Sequence, residues 1–181
     1  MLDGLQLIKG NTYYFNSDGY QQTGKVASVE EENDDTFTYY FSTKNAGNGK
    51  GQCGPKDGYL YWMGKRLEAD DDYKIYTFDG KQFYLVNTKG KIQKSTSRKY
   101  NVEAPSSFAG NTEDMKFDFN KTSNIIKSIT SEGHTGYDLK EIAEVPHIAL
   151  KDNWIVATGE ASFTVKAKDF CNSYITLENL K

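Results

Sequence analysis

The sequence predicts a mostly β protein: β-hairpin solenoid repeats followed by a β-rich C-terminal segment. Three observations carry this. Short aromatic runs alternate with polar, Gly-containing turns along the N-terminal half. Glycine is frequent and proline scarce, 16 against 3, which favours many tight turns over a proline-rich linker. Aromatic content is high, with 13 Tyr and 10 Phe, although mean hydropathy is -0.71. Tyrosine reconciles the two, because it packs a ring while leaving a hydroxyl near water.

Taken in order, the first strand is Leu5-Gln6-Leu7-Ile8, turned by Lys9-Gly10-Asn11 into Thr12-Tyr13-Tyr14-Phe15. Asn16-Ser17-Asp18-Gly19 turns the chain again toward Tyr20-Gln21-Gln22. Gly at such turns accepts the positive φ that primed hairpin turns require. Thr38-Tyr39-Tyr40-Phe41 repeats the aromatic strand, followed by a Gly-rich reach to Gly51. Asp57-Gly58 opens Tyr59-Leu60-Tyr61-Trp62, which closes on Met63-Gly64-Lys65-Arg66-Leu67. Tyr73 to Phe78 reads as a strand turned by Asp79-Gly80, and Gln82–Val86 leads into Asn87-Thr88-Lys89-Gly90. One hairpin cannot bury its apolar face alone, so successive hairpins of this length imply a stacked array.

Near Glu103-Ala104-Pro105 the character changes, and Tyr and Gly give way to β-branched and aliphatic residues. The expected division is 1–102 for the hairpin repeats and 103–181 for a β-rich region of unassigned role. Phe117 and Phe119 alternate onto one face, and a turn at 120–124 leads into Ile125–Ile129. Residues 147–150, 154–157 and 162–166 read as strands. A short helix is expected within Asp138–Val145, ahead of Pro146.

The net charge of -3 and the lack of a strong basic run exclude a nucleic-acid partner. No stretch approaches the roughly 18 apolar residues of a membrane span. Met1–Leu5 lacks a basic n-region and an apolar h-region, so it reads as no signal peptide. Cys53 and Cys171 lie far apart, allow a bridge, show no metal-ligand spacing and are read as plain thiols. The acidic stretches Glu30–Asp35 and Glu68–Asp72 lack the twelve-residue calcium loop and read as solvated connections. His134 and His147 are the only histidines, and pairing either with a cysteine has no recognisable nucleophile context. No nucleophile elbow, zinc-protease, P-loop or dinucleotide motif occurs. The chain therefore reads as no enzyme, with no catalytic residue, no metal and no cofactor.

NTYYFNSDGYQQTGKV, from Asn11 to Val26, resembles the bacterial cell-wall-binding and glucan-binding (choline-binding-like) repeat family, of clostridial type. Tyr13, Tyr14, Phe15, Gly19, Thr23 and Gly24 carry the likeness. Thr38 to Leu67 and Asp79 to Ser95 look like diverged repeats, so the resemblance spans about residues 5–95. It implies a β-hairpin solenoid whose aromatic grooves hold choline or sugar. The choline-binding version relies on a Trp-Tyr-Tyr strand and a Gly-Trp exit. Here those positions read Thr12-Tyr13-Tyr14 and Gly24-Lys25, so the resemblance implies ring stacking on a polymer rather than a choline cage.

Alternation puts Tyr13 and Phe15 on one strand face and Tyr14 on the other. The residues chosen as the ligand face are Tyr14, Tyr40, Trp62 and Tyr84. The resulting expectation is a non-enzymatic module on cell-wall polysaccharide or glucan, extracellular and wall-associated, with oligomerisation left open. Without an export signal, that setting implies a longer natural chain or delivery by another route, such as lysis. The competing expectation is a structural or adhesive component: a spacer, an oligomeric rod, or a phage or particle tail protein carrying a wall-binding repeat.

Overall fold

A strand pair closed by two residues needs positive φ at both, because only the primed turn matches strand twist. The chain makes this turn at Lys9-Gly10 (φ 51° and 81°), Asp57-Gly58 (52° and 85°) and Met63-Gly64 (51° and 87°). Lys9-Gly10 joins β1 (Gly4–Ile8) to β2 (Asn11–Phe15), with Leu5 opposite Tyr14 and Leu7 opposite Thr12. β3 (Gln21–Gln22) adds to β2 through Phe15 and Gln21. This hairpin was legible in the sequence.

The computed structural model describes residues 2–31, 35–43, 48–149 and 164–166. Two compact units result. The first holds Met1–Lys56, Tyr61–Arg66 and the segment beginning at His147; the second holds Asp57–Leu60 and Leu67–Pro146.

In the first unit, β4 (Gly24–Glu30) and β5 (Thr36–Phe41) pair antiparallel. They belong to a sheet ordered β4-β5-β8-β7-β6, with β6 at Gly54–Lys56, β7 at Tyr59–Trp62 and β8 at Lys65–Arg66. β4 carries a bulge: Val26 pairs with Tyr39, yet Val29 pairs with Phe37, so one extra residue is inserted. Ser28 takes φ 60° within it. The insertion shifts the inward set of side chains, and Val29 and Glu31 are both buried. Leu5, Leu7, Phe41, Trp62 and Met63 are buried in the same unit. Thr12, fully buried, donates its hydroxyl to the Met63 carbonyl, and its own carbonyl accepts from Gly51 N at 2.9 Å.

The second unit contains β9 (Lys74–Thr77) and β10 (Phe83–Val86), paired with Leu85 opposite Ile75. β11 (Phe117–Phe119) pairs with β12 (Ile126–Ile129). Phe117 and Phe119 are buried while Asp118 between them is not, as the alternation predicts. Helix α1 (Leu139–Ile142) falls within the expected window, and the Asp138 side chain caps it by accepting from Lys140 N. The core joins Ile75, Leu85, Tyr100, Val102, Met115, Phe117, Ile129 and Ile142. Tyr100 and Met115 form a bridge. The division expected at residue 103 thus runs through this unit, because residues on both sides of it share one core. The chain then returns to the first unit, where β13 (His147–Ala149) pairs with β14 (Thr164–Lys166). The strand expected at 154–157 lies outside the described residues.

The repeat read from the sequence recurs in the backbone. Asn16 Oδ1 accepts from the N–H groups of Asp18 and Tyr20, and Gly19 N donates to Asn16 O. Asn87 Oδ1 accepts from Lys89 and Lys91, and Gly90 N donates to Asn87 O. Phe15 faces Gln21 as Val86 faces Ile92. The two Asn-x-x-Gly turns are one structure used twice, in a mostly β, antiparallel protein.

A Cβ at Gly51 would lie 2.6 Å from the Met63 backbone and on the Thr12 hydroxyl. Gly51→Ala should therefore cost about 2–3 kcal/mol by overpacking. Gly58→Ala meets no neighbour but sits at φ +85° and should cost about 1–2 kcal/mol from backbone strain alone. Urea denaturation of the two variants checks the ranking.

Candidate functional site

β5 presents its aromatic residues alternately. Phe37, Tyr39 and Phe41 share one face, and Tyr40 takes the other. Tyr14 stacks on Phe41 with ring centroids 6.1 Å apart, and Phe41 stacks on Tyr39 at 5.8 Å. Tyr39 and Phe41 are fully buried, whereas Tyr14 keeps part of its surface. On the opposite face the half-buried Tyr40 leans against Tyr61 at 5.6 Å.

Three of these rings are attended by the protein's own cations. Lys56 Nζ lies 5.7 Å from the Tyr40 centroid, and the Arg66 guanidinium lies 5.5 Å from that of Tyr61. Arg66 Nη2 also donates to the Tyr61 hydroxyl at 2.9 Å. Lys65 Nζ sits 3.8 Å from the Phe37 centroid and 2.8 Å from Glu31 Oε2. The Tyr39 hydroxyl donates to that same carboxylate oxygen at 3.0 Å. Burial, then the neighbouring Glu31 charge, pushes the Tyr39 hydroxyl well above its ordinary pKa.

The four residues chosen from the sequence fare differently. Tyr14 and Tyr40 are half-buried in the first unit. Trp62 is fully buried, because the Met63-Gly64 turn directs it into the interior, so it offers no face to a ligand. Tyr84 belongs to the second unit and is only 8% exposed. In the repeated turn it is the register equivalent of Tyr13, not of Tyr14. Tyr20, not chosen, is 69% exposed. Sequence reading also missed the grouping of Glu31, Phe37, Tyr39 and Lys65, for which only the alternation on β5 was visible in advance.

Two further expectations change. Glu31, read as part of a solvated acidic loop, is buried and ion-paired because of the β4 bulge. Asp70, Asp71 and Asp72 are exposed, but their backbone N–H groups all donate to the Glu103 carboxylate. Cys53, read as a plain thiol, is disulfide-bonded; Cys171 lies outside the described residues. That removes Cys53 as a nucleophile. His134 is buried, with Nδ1 2.9 Å from Ser131 Oγ and its ring against Tyr137. This contact closes a local turn, since His134 N also donates to Ser131 O.

With this geometry in view, residues 2–48 match the family described as choline-binding repeat. That match falls within the stretch whose residues resemble such repeats. No curated protein matches the sequence. The chain is similar to several solved structures, among them the following three. Choline binding protein F from Streptococcus pneumoniae is 21% identical, covering 80% of this chain and 41% of that one, with TM-score 0.44. CbpF in complex with ipratropium is 22% identical, covering 80% and 39%, with TM-score 0.45. CbpJ from Streptococcus pneumoniae TIGR4 is 18% identical, covering 79% and 41%, with TM-score 0.39. The chain spans about two fifths of the length of each.

The pKa of Tyr39 is raised in the folded state, so its contribution is whole below about pH 10, the unfolded value, and is lost as pH rises toward the folded one. Stability should fall above about pH 10, by up to about 1.4 kcal/mol per pH unit for this group. Tyr39→Phe should make the fall shallower. Urea denaturation between about pH 9 and 11 checks this.

Proposed function

We propose that the chain is a non-enzymatic module that attaches to bacterial cell-wall polysaccharide or glucan outside the cell, by stacking sugar rings on tyrosine. The supporting observation is that Tyr14 and Tyr40 are only half-buried inside the segment that matches the choline-binding repeat. The disulfide at Cys53 supports an oxidising setting such as the cell exterior. Among the described residues, no helix is long and apolar enough to cross a membrane.

Between choline and sugar as the contacted group, the internal cations favour sugar. Lys56 already attends Tyr40 and Arg66 attends Tyr61. A quaternary ammonium would have to displace a like charge, whereas a neutral pyranose would not. The family match itself favours a second reading, in which choline carried on the wall polymer is the contacted group.

Each exposed ring contributes about 0.5–1 kcal/mol, so Tyr14→Ala and Tyr40→Ala should each weaken retention on purified wall material roughly two- to five-fold. Together they should weaken it more, since linked weak sites act through avidity. Soluble oligosaccharide should elute the protein and choline should not. Elution by choline alone would establish the second reading. No retention on any wall polymer would point to a spacer or adhesive role.

A further inference from the structure

Three strands of the first unit bring a carboxylate, two aromatic rings and one ammonium into a common space. Lys65 Nζ is 2.8 Å from Glu31 Oε2, 3.2 Å from the His147 carbonyl oxygen and 3.8 Å from the Phe37 ring centroid. The Tyr39 hydroxyl donates to the same carboxylate oxygen, Glu31 Oε2. The Lys65 and Glu31 side chains are 12% and 4% exposed, so the charges meet largely out of water.

We propose that Glu31, Phe37, Tyr39 and the His147 carbonyl form an ammonium-binding cage, and that Lys65 is its built-in occupant. The parts are those that recognise an alkylammonium ion: a counter-charge, a neutral acceptor and a ring face. The backbone of each is placed by features other than the lysine head group. The β4 bulge turns Glu31 inward, alternation on β5 places Phe37 and Tyr39 side by side, and His147 contributes backbone from β13. The Met63-Gly64 turn sets Lys65 opposite Tyr39. A site of this chemistry in the first unit is therefore closed to free alkylammonium ions in the native protein, and Lys65 sets that selectivity. The inference agrees with the saccharide reading without resting on it, because its test uses purified protein and no polymer.

A lysine side chain beyond Cβ is propylammonium, so Lys65→Ala excises that ion and leaves its cage. Thermal unfolding is compared in propylammonium chloride and in sodium chloride of equal ionic strength. At about ten times the dissociation constant, propylammonium should raise the K65A midpoint roughly 3–6 °C above its value in sodium chloride. Wild type, whose cage is filled, and Lys65→Met, which fills it with an uncharged chain, should show no such difference. If K65A does not fold in sodium chloride, the readout is refolding yield, and recovery in propylammonium alone supports the cage. Equal behaviour of K65A in the two salts, folded or not, overturns the proposal. So does a response of the same size in wild type or K65M.

Discussion

Strand register is the constraint on which the rest of this protein depends. Side chains on a strand alternate with period two, so a slip of one residue exchanges its interior and exterior sets. Two-residue turns with both φ values positive leave the flanking strands no latitude, and Lys9-Gly10 and Met63-Gly64 use this to bury Leu5, Leu7 and Trp62. The β4 bulge then does the opposite on purpose. By inserting one residue between Val26 and Val29 it exchanges the set once, and Glu31 rather than Glu30 enters the interior. A buried carboxylate needs a partner, and β8 supplies Lys65.

The chemistry of the aromatic faces follows from that arrangement. Tyrosine-rich strands leave a protein with more ring surface than its interior can absorb. Here part of the surface is stacked inward as Tyr14, Phe41 and Tyr39, and part is covered by Lys56, Lys65 and Arg66. Long basic side chains suit this, since their stems shield a ring while their heads reach a carboxylate or water. Tyr40, Phe37 and Tyr61 are thereby already engaged by the protein's own cations.

The hairpins and helix α1 were legible because their signals are local: X-Gly turns, Asn-x-x-Gly turns and an aspartate cap. The β4 bulge was not, since Ser28 at positive φ carries no glycine or asparagine to announce it. Alternation separates the two faces of a strand but does not say which is the interior, and Trp62 and Tyr84 lie on the buried side. The disulfide at Cys53 lay beyond spacing arguments. The division at 103 was drawn on composition. A fall in Tyr and Gly content marks a change of strand style, whereas a unit boundary is marked by which residues share a core, and Tyr100 shares one with Met115.

The two units are interleaved along the chain: the first is left at Lys56, revisited at Tyr61–Arg66, and rejoined at His147. Synthesis runs from the N-terminus at about 5–20 residues per second. The residues that build the second unit therefore leave the ribosome before the last segment of the first one does. While the 82 positions from Lys65 to His147 are made, an interval of several seconds, Lys65 and Glu31 lack the His147 carbonyl. The Lys65–Glu31 pair is thus finished by a residue made 82 positions after the lysine.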